Sequence, residues 1–455
     1  MTNILFLTTR RYCSAPAKAG IVNGVFGIVD YLVQPIAMLI AAPLLIRYLG
    51  ISQYGVLMLA IATVGAGNMF AASFGDAAVK YVSACRGRGD VDAVKPIVRC
   101  VLMINVCLGT ALALLLYVFA PAVVEVMKIN GGLRVAGIRA LQIGAAVLLV
   151  RSVECVFIGV LRAFEHYRAA AQITSSMRIL AIAASVLLAY VHRDVSTIMA
   201  AILCTVAVGA ALLAVSIHSK VGPVLTWPSW NTKELSEVMS FGAASWLLGL
   251  SGMAFNQVDR LLVGVFLGPI EVGYYSVCTQ ATQPIHGIVA SGLHFLFPHL
   301  SAKMANAEPV AVQRSIKRAL GWNLVLALLL STPLTLYSRN FLTFWMGKGF
   351  AAHAWLALGL LSVASGLVAL NVALHYSLLA MGCIRNVAVL NLIAGGAMLT
   401  VMALLIPRFG IVGAALGRLV YGPVTWLMYL KLNDALRPPH IVSKPASATA
   451  ATAEI

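Results

Sequence analysis

LGISQYGV, residues Leu49 to Val56, returns 218 residues later as LGPIEVGY, residues Leu267 to Tyr274. Each copy directly follows the first long apolar run of its half of the chain. Around these two copies, six apolar segments fill residues 21–217 and six more fill residues 240–430, in the same order and at nearly the same spacing. The repeat is weak in residue identity but consistent in hydropathy. Two halves of matched topology are a transporter's architecture, with the substrate path between them.

The chain has 455 residues, of which 61% are hydrophobic and only 10% charged. With a mean hydropathy of +0.92, its solvent over most of its length is lipid. The hydropathy predicts twelve helices at 21–46, 55–74, 98–121, 140–160, 173–192, 196–217, 240–267, 273–298, 318–337, 353–379, 387–406 and 411–430. Each approaches the roughly 20 residues that a bilayer core demands. An even number per half leaves both halves in the same orientation. The expected fold is therefore an all-α polytopic membrane protein of two six-helix lobes, related by a pseudo-twofold axis along the membrane normal.

The domain organisation follows. Residues 1–20 are a cytoplasmic N-terminal segment and 21–217 the first lobe. Residues 218–239 are a cytoplasmic linker, in which Asn231 to Val238 (NTKELSEV) has the pattern of a capped amphipathic helix on the membrane surface. Residues 240–430 are the second lobe, and the low-complexity tail 431–455 is expected to be disordered. MTNILFL at the start is too short an apolar run for a signal peptide, and no small-residue cleavage site follows it.

Lysine and arginine set the orientation. With the N-terminus inside, 20 of the 32 lie on inner segments, 8 on outer segments and 4 within helices. Both termini are thus expected in the cytoplasm, with the protein in a bacterial inner membrane. The net charge of +17 then marks orientation and attraction to anionic membrane lipids, and needs no nucleic acid. The eight cysteines form no CxxC pair and the nine histidines no HExxH, which argues against a disulfide scaffold and a metal site. No cofactor is implied beyond a possible coupling H+ or Na+.

Ionisable side chains in hydrocarbon are costly, so each is a candidate site. Asp30 lies in the first helix. Arg151 and Glu154 share a face of the fourth at i,i+3, either as an internal ion pair or as part of the path. Arg178 is in the fifth helix and Arg418 in the twelfth, each able to line a cavity or reach toward headgroups. The seventh carries NQVDR, with Asn256, Gln257, Asp259 and Arg260. His375 reads best as a packing residue. Arginine forks grip phosphate in a bidentate way, so Arg151, Arg178, Arg260 and Arg418 suit an anionic amphiphile. Basic residues including Lys80 and Arg86 crowd the cytoplasmic mouth. Asp259, Asp30 and Glu154 are the candidates for ion coupling.

Four stretches then carry a resemblance: LGISQYGVLML from Leu49, FGDAAVKYVSACRGRGD from Phe74, NQVDRLLVGVFLGPIEVGYYSV from Asn256 and RFGIVGAALGRLV from Arg408. In them the chain resembles the bacterial polysaccharide flippases of the multidrug/oligosaccharidyl-lipid/polysaccharide exporter superfamily. The resemblance implies two six-helix lobes forming a V around a central cavity. It implies a polyprenyl-pyrophosphate-linked oligosaccharide as cargo, moved to the periplasmic leaflet for surface polysaccharide, lipopolysaccharide or exopolysaccharide synthesis. A polysaccharide polymerase and export machinery are the partners it suggests. Asp259 and Arg260 match the family's polar DR in helix 7. Lys80 and Tyr81 match a basic–aromatic RY position, with lysine lacking the arginine fork.

Two other functions compete. A multidrug/cation antiporter of the same fold requires an acidic cavity. A membrane polymerase or acyltransferase requires a sizeable outer loop with an acid/base cluster, and the outer connections here are short. The expectation is a transporter, not an enzyme.

Overall fold

The computed structural model describes residues 34–90, 93–224, 257–293, 296, 300 and 309–435. Asp30, Asn256, the 231–238 segment and the tail from 436 lie outside the described residues. Among the described residues the regular structure is entirely helical. Eight described helices are long and apolar enough to span a bilayer, and the first helix adds a shorter apolar piece, Gln34–Leu49. The chain is a multi-pass membrane protein.

The first group comprises α1 (Gln34–Leu49), α2 (Ile51–Arg88), α3 (Val94–Val126), α4 (Leu133–Ala163), α5 (Tyr167–Val191) and α6 (Val195–Lys220). The second comprises α7 (Asp259–Leu267), α8 (Pro269–Leu293), α9 (Pro309–Leu336), α10 (Ser338–Met346), α11 (Lys348–Ala369), α12 (Val372–Ala380), α13 (Ile384–Leu419), α14 (Tyr421–Thr425) and α15 (Met428–Ala435).

Several boundaries depart from hydropathy for local reasons. The connection expected at 75–97 is helical through Arg88, because Ala77, Ala78, Lys80 and Ala84 favour helix after the apolar run has ended. Gly89, at φ 76°, supplies the left-handed residue that stops it. The segment expected at 353–379 is broken at Leu370 and Asn371, where Asn323 Nδ2 donates to the Leu370 carbonyl at 2.6 Å. The connection at 338–352 holds the short helix α10. At Gly410, φ 59°, the chain of α13 folds back on itself. A Cβ on Gly413 would stand 2.4 Å from the Leu405 carbonyl oxygen, so this glycine lets the two arms touch backbone to backbone. The two arms are the expected segments 387–406 and 411–430, the latter continuing in shorter pieces to Ala435.

Packing gives the bundle its shape. One core joins the two groups at the end bearing Gly50 and Gly268, and includes Leu45, Tyr54, Leu57, Leu59 and Val64 from one side and Val263, Tyr275, Cys278 and Ala281 from the other. At the opposite end each group has its own core. Ala77, Val82, Val98, Leu161 and Leu213 form one, and Ile285, Val289, Leu293, Ala373 and Leu378 form the other. A shared core at one end and separate cores at the other make a V.

The apex is closed by the repeated motif itself. A Cβ on Gly55 would stand 1.7 Å from the Pro269 carbonyl oxygen, and one on Gly273 would stand 2.9 Å from that of Ile51. Shifting Gly55 and Ile51 by 218 residues gives Gly273 and Pro269. The contact is therefore reciprocal, as a twofold relation between the groups requires. Two further bonds brace the same end: Lys128 Nζ donates to the Phe266 carbonyl at 2.6 Å and Trp345 Nε1 to that of Leu39 at 3.0 Å.

Candidate functional site

The densest polar cluster sits in the second group. Asp259 opens α7 just after a wider, π-type turn at Gln257 and Val258, a form often found at functional positions. The residue is 0% exposed. Oδ2 accepts from the Tyr275 hydroxyl on α8 at 3.0 Å and forms a close ion pair with Arg418 Nη1 on the second arm of α13. Oδ1 accepts from the Arg260 backbone N–H at 2.8 Å. Three helices thus converge on one carboxylate, and Arg418 is itself only 8% exposed.

Asp259 and Arg260, adjacent in NQVDR, do not pair through their side chains. Consecutive side chains on a helix diverge, so the Arg260 guanidinium does not reach Asp259. It donates from Nη2 to Thr279 Oγ1 at 3.3 Å, and its buried Nε has no hydrogen-bond partner among the described residues. Arg418, expected to be a cavity cation or to reach toward headgroups, is instead neutralised in the interior.

In the first group, Arg151 Nη1 and Glu154 Oε2 pair at 2.9 Å along one face of α4. Glu154 is 5% exposed and Arg151 31%, so the carboxylate is inside and the guanidinium partly accessible. Glu154 is packed toward α5 and α6, where a Cβ on Gly209 would meet both it and Met177. Arg178 is half-buried on α5. These residues have no counterpart in the other half: positions 369 and 372, offset by 218 from the α4 pair, are Ala and Val.

The wide end of the V is basic. Lys80 is exposed, with Nζ 5.0 Å from the centre of the Tyr81 ring. Arg86 donates to the Ala163 carbonyl and pairs with Glu165, both at 3.0 Å, tying the end of α2 to that of α4. His166 lies in the same turn, where burial first, then Lys220 and Arg86, push its pKa down against the opposing pull of Glu165. At the apex, the Tyr54 hydroxyl on α2 donates to Gln280 Oε1 on α8 at 3.2 Å. His375, read as a packing residue, sets its ring edge-on to Tyr376, with centroids 5.8 Å apart.

Tyr275, Tyr54 and Gln280 are not candidates from sequence, because nothing local in LGISQYGV or GYYSVCTQ marks one tyrosine or glutamine as a partner of a distant polar group. Gly55 and Gly273 did carry a signal, since both belong to the repeated motif.

Two groups of apolar spanning helices are thus joined at one end and parted at the other, with paired charges held inside. Solved structures share the fold. One is a multidrug-resistance MATE family transporter of the MOP superfamily in an inward-facing conformation, with TM-score 0.74 and 15% identity over 90% of this chain and 98% of that one. Another is the lipid II flippase MurJ in an inward closed conformation, at TM-score 0.76 and 13% identity over 90% and 87%. A third, a MOP superfamily transporter from Pyrococcus furiosus, gives 0.64 and 15% over 93% and 97%. No curated protein matches the chain in sequence. The family model described as polysaccharide biosynthesis protein matches residues 22–304, and the chain belongs to that family.

Proposed function

We propose that this protein is a flippase that carries a polyprenyl-pyrophosphate-linked oligosaccharide from the cytoplasmic to the periplasmic leaflet of the inner membrane, by alternating access. Family membership supports a role in polysaccharide biosynthesis, and the lysine and arginine distribution supports cytoplasmic termini. In that orientation the wide, basic end of the V faces the cytoplasm, where such a cargo is made.

One observation carries the choice of an anionic cargo. Asp259 and Glu154 are both buried and paired, whereas Arg260 has no carboxylate within ion-pair distance among the described residues. Of these three groups, the one left for a ligand is positive. A pyrophosphate meets the Nη1 end of Arg260 and the accessible face of Arg151, with Arg178 at a similar depth on α5 and Lys80 nearer the entrance, while the polyprenyl tail stays in lipid. A cation antiporter needs the reverse. The reading is of a carrier with no chemical step, working beside a polymerase and export machinery, with H+ or Na+ exchange at Asp259 or Asp30 as its drive.

The direct test is a reconstituted vesicle loaded with a fluorescent polyprenyl-pyrophosphate-linked oligosaccharide. Transbilayer movement that needs the protein supports the reading. Protein-dependent movement of a cationic drug, with none of the lipid-linked sugar, would overturn it.

A further inference from the structure

Near the apex, polar atoms are left without partners. Asn68 Oδ1, Gln257 Oε1 and Arg260 Nε are all buried and have no hydrogen-bond partner among the described residues. They belong to one place. Gln257 lies against α2 where a Cβ on Gly65 would be 2.8 Å from its Nε2, and Asn68 is one helical turn further along the same face of α2. Arg260 is one turn from Gln257 on the other helix. The site falls where the groups begin to part, between Val64 of the shared core and Ala77 of the separate one.

We infer that Asn68, Gln257 and Arg260 form the ceiling of the cavity and bind a hydroxyl-rich sugar unit of the cargo. This rests on the flippase reading and deepens it. A buried polar atom left unpaired loses its hydration with nothing in return, so such groups persist where a ligand or water completes them. The type of ligand follows from the atoms. Two amide oxygens accept and one guanidinium N–H donates, and a sugar hydroxyl can do both. An ionised phosphate offers acceptors alone and would leave both amide oxygens unpaired. An isoprenoid chain satisfies none of the three. The amides also come one from each helix group, so a sugar held between them bridges the halves that must move relative to each other.

Binding to protein in lipid nanodiscs tests this with two probes: a polyprenyl pyrophosphate carrying one hexose unit, and the same polyprenyl pyrophosphate without sugar. The wild-type protein should hold the glycosylated probe about tenfold more tightly, a difference that two or three hydrogen bonds can supply. Asn68→Leu and Gln257→Leu should each remove most of that preference while leaving the bare probe's affinity unchanged. If the leucine variants cannot be purified, Asn68→Ala and Gln257→Ala remove the same amide oxygens without adding apolar bulk and carry the same expectation. Equal loss for both probes, or no loss for either, overturns the site. A wild-type protein that binds neither probe overturns the flippase reading itself, and the ceiling with it.

Discussion

Gly55 and Gly273 close the apex reciprocally: each packs against the first helical residue after the glycine of the other motif, Pro269 and Ile51 respectively. The two contacts are not equally tight. At Gly55 an added Cβ meets backbone at 1.7 Å, whereas at Gly273 it meets the end of the Ile51 side chain at 2.7 Å and the Ile51 carbonyl oxygen only at 2.9 Å.

Gly55→Ala should therefore be the more damaging substitution. Alanine raises helix propensity by about 1 kcal/mol over glycine, so without the contact the change would stabilise. The overlap with Pro269 reverses that sign and wedges the apex open. Distances between spin labels at positions 52 and 270 should lengthen in Gly55→Ala and much less in Gly273→Ala. Unchanged distances in both would show that the apex does not depend on the glycines.

The Asp259–Arg418 pair predicts a non-additive pair of mutations. Removing either partner leaves a lone charge in the interior and should destabilise by about 3–5 kcal/mol. Asp259→Asn combined with Arg418→Met removes both charges and should recover a large part of the loss. Thermal unfolding in detergent of the two single variants and the double checks this. Simple additivity would mean the pair contributes nothing as a pair.

The cations should separate into two kinds. Arg418→Ala is expected to lower the amount of protein in the membrane, since it orphans Asp259. Arg260→Ala and Arg178→Ala should leave that amount near wild type and still reduce surface polysaccharide. Normal export by both of the latter would defeat the cationic path.

What the sequence made legible is what depends on hydropathy and repetition. The eight long described spans, the two helix groups and the glycine motifs at the apex are of this kind, because lipid imposes a long apolar run on every crossing. Helix beyond the membrane was less visible. Ala77 to Arg88 continue α2 by propensity and by the packing of Ala77, Ala78 and Val82, after hydropathy has fallen. Pairing was hardest to read. Asp259 stands beside Arg260 in the chain, yet its partner lies 159 residues away on a different helix. Only the folding back at Gly410 and the convergence of α7, α8 and α13 bring Arg418 and Tyr275 to it.

Orientation is open to a direct check. Asp90 and Asn130 are both exposed, at opposite ends of α3. In a cysteine-free background, a single cysteine at 130 should react with an impermeant thiol reagent added to spheroplasts, and one at 90 should react only after lysis. The opposite pattern would reverse the membrane orientation and put the wide end of the V in the periplasm.

The last prediction concerns the driving ion. Asp259 is occupied by Arg418 and Tyr275, so a proton or sodium ion has to compete with a guanidinium for the same oxygens. Binding of the ion and pairing with Arg418 are then mutually exclusive. Because Arg418 rides on the arm beyond Gly410, its release frees that arm from α7. Ion occupancy would thereby change packing inside the second group, which is how a local charge event moves a bistable bundle. Asp259→Asn keeps the side chain's shape and removes the titratable charge. It should abolish the response of flipping to an imposed ion gradient in reconstituted vesicles while still permitting binding of the lipid-linked cargo. Gradient-dependent transport equal to wild type in the Asn variant would remove Asp259 from the coupling step and leave Asp30 as the residue to test.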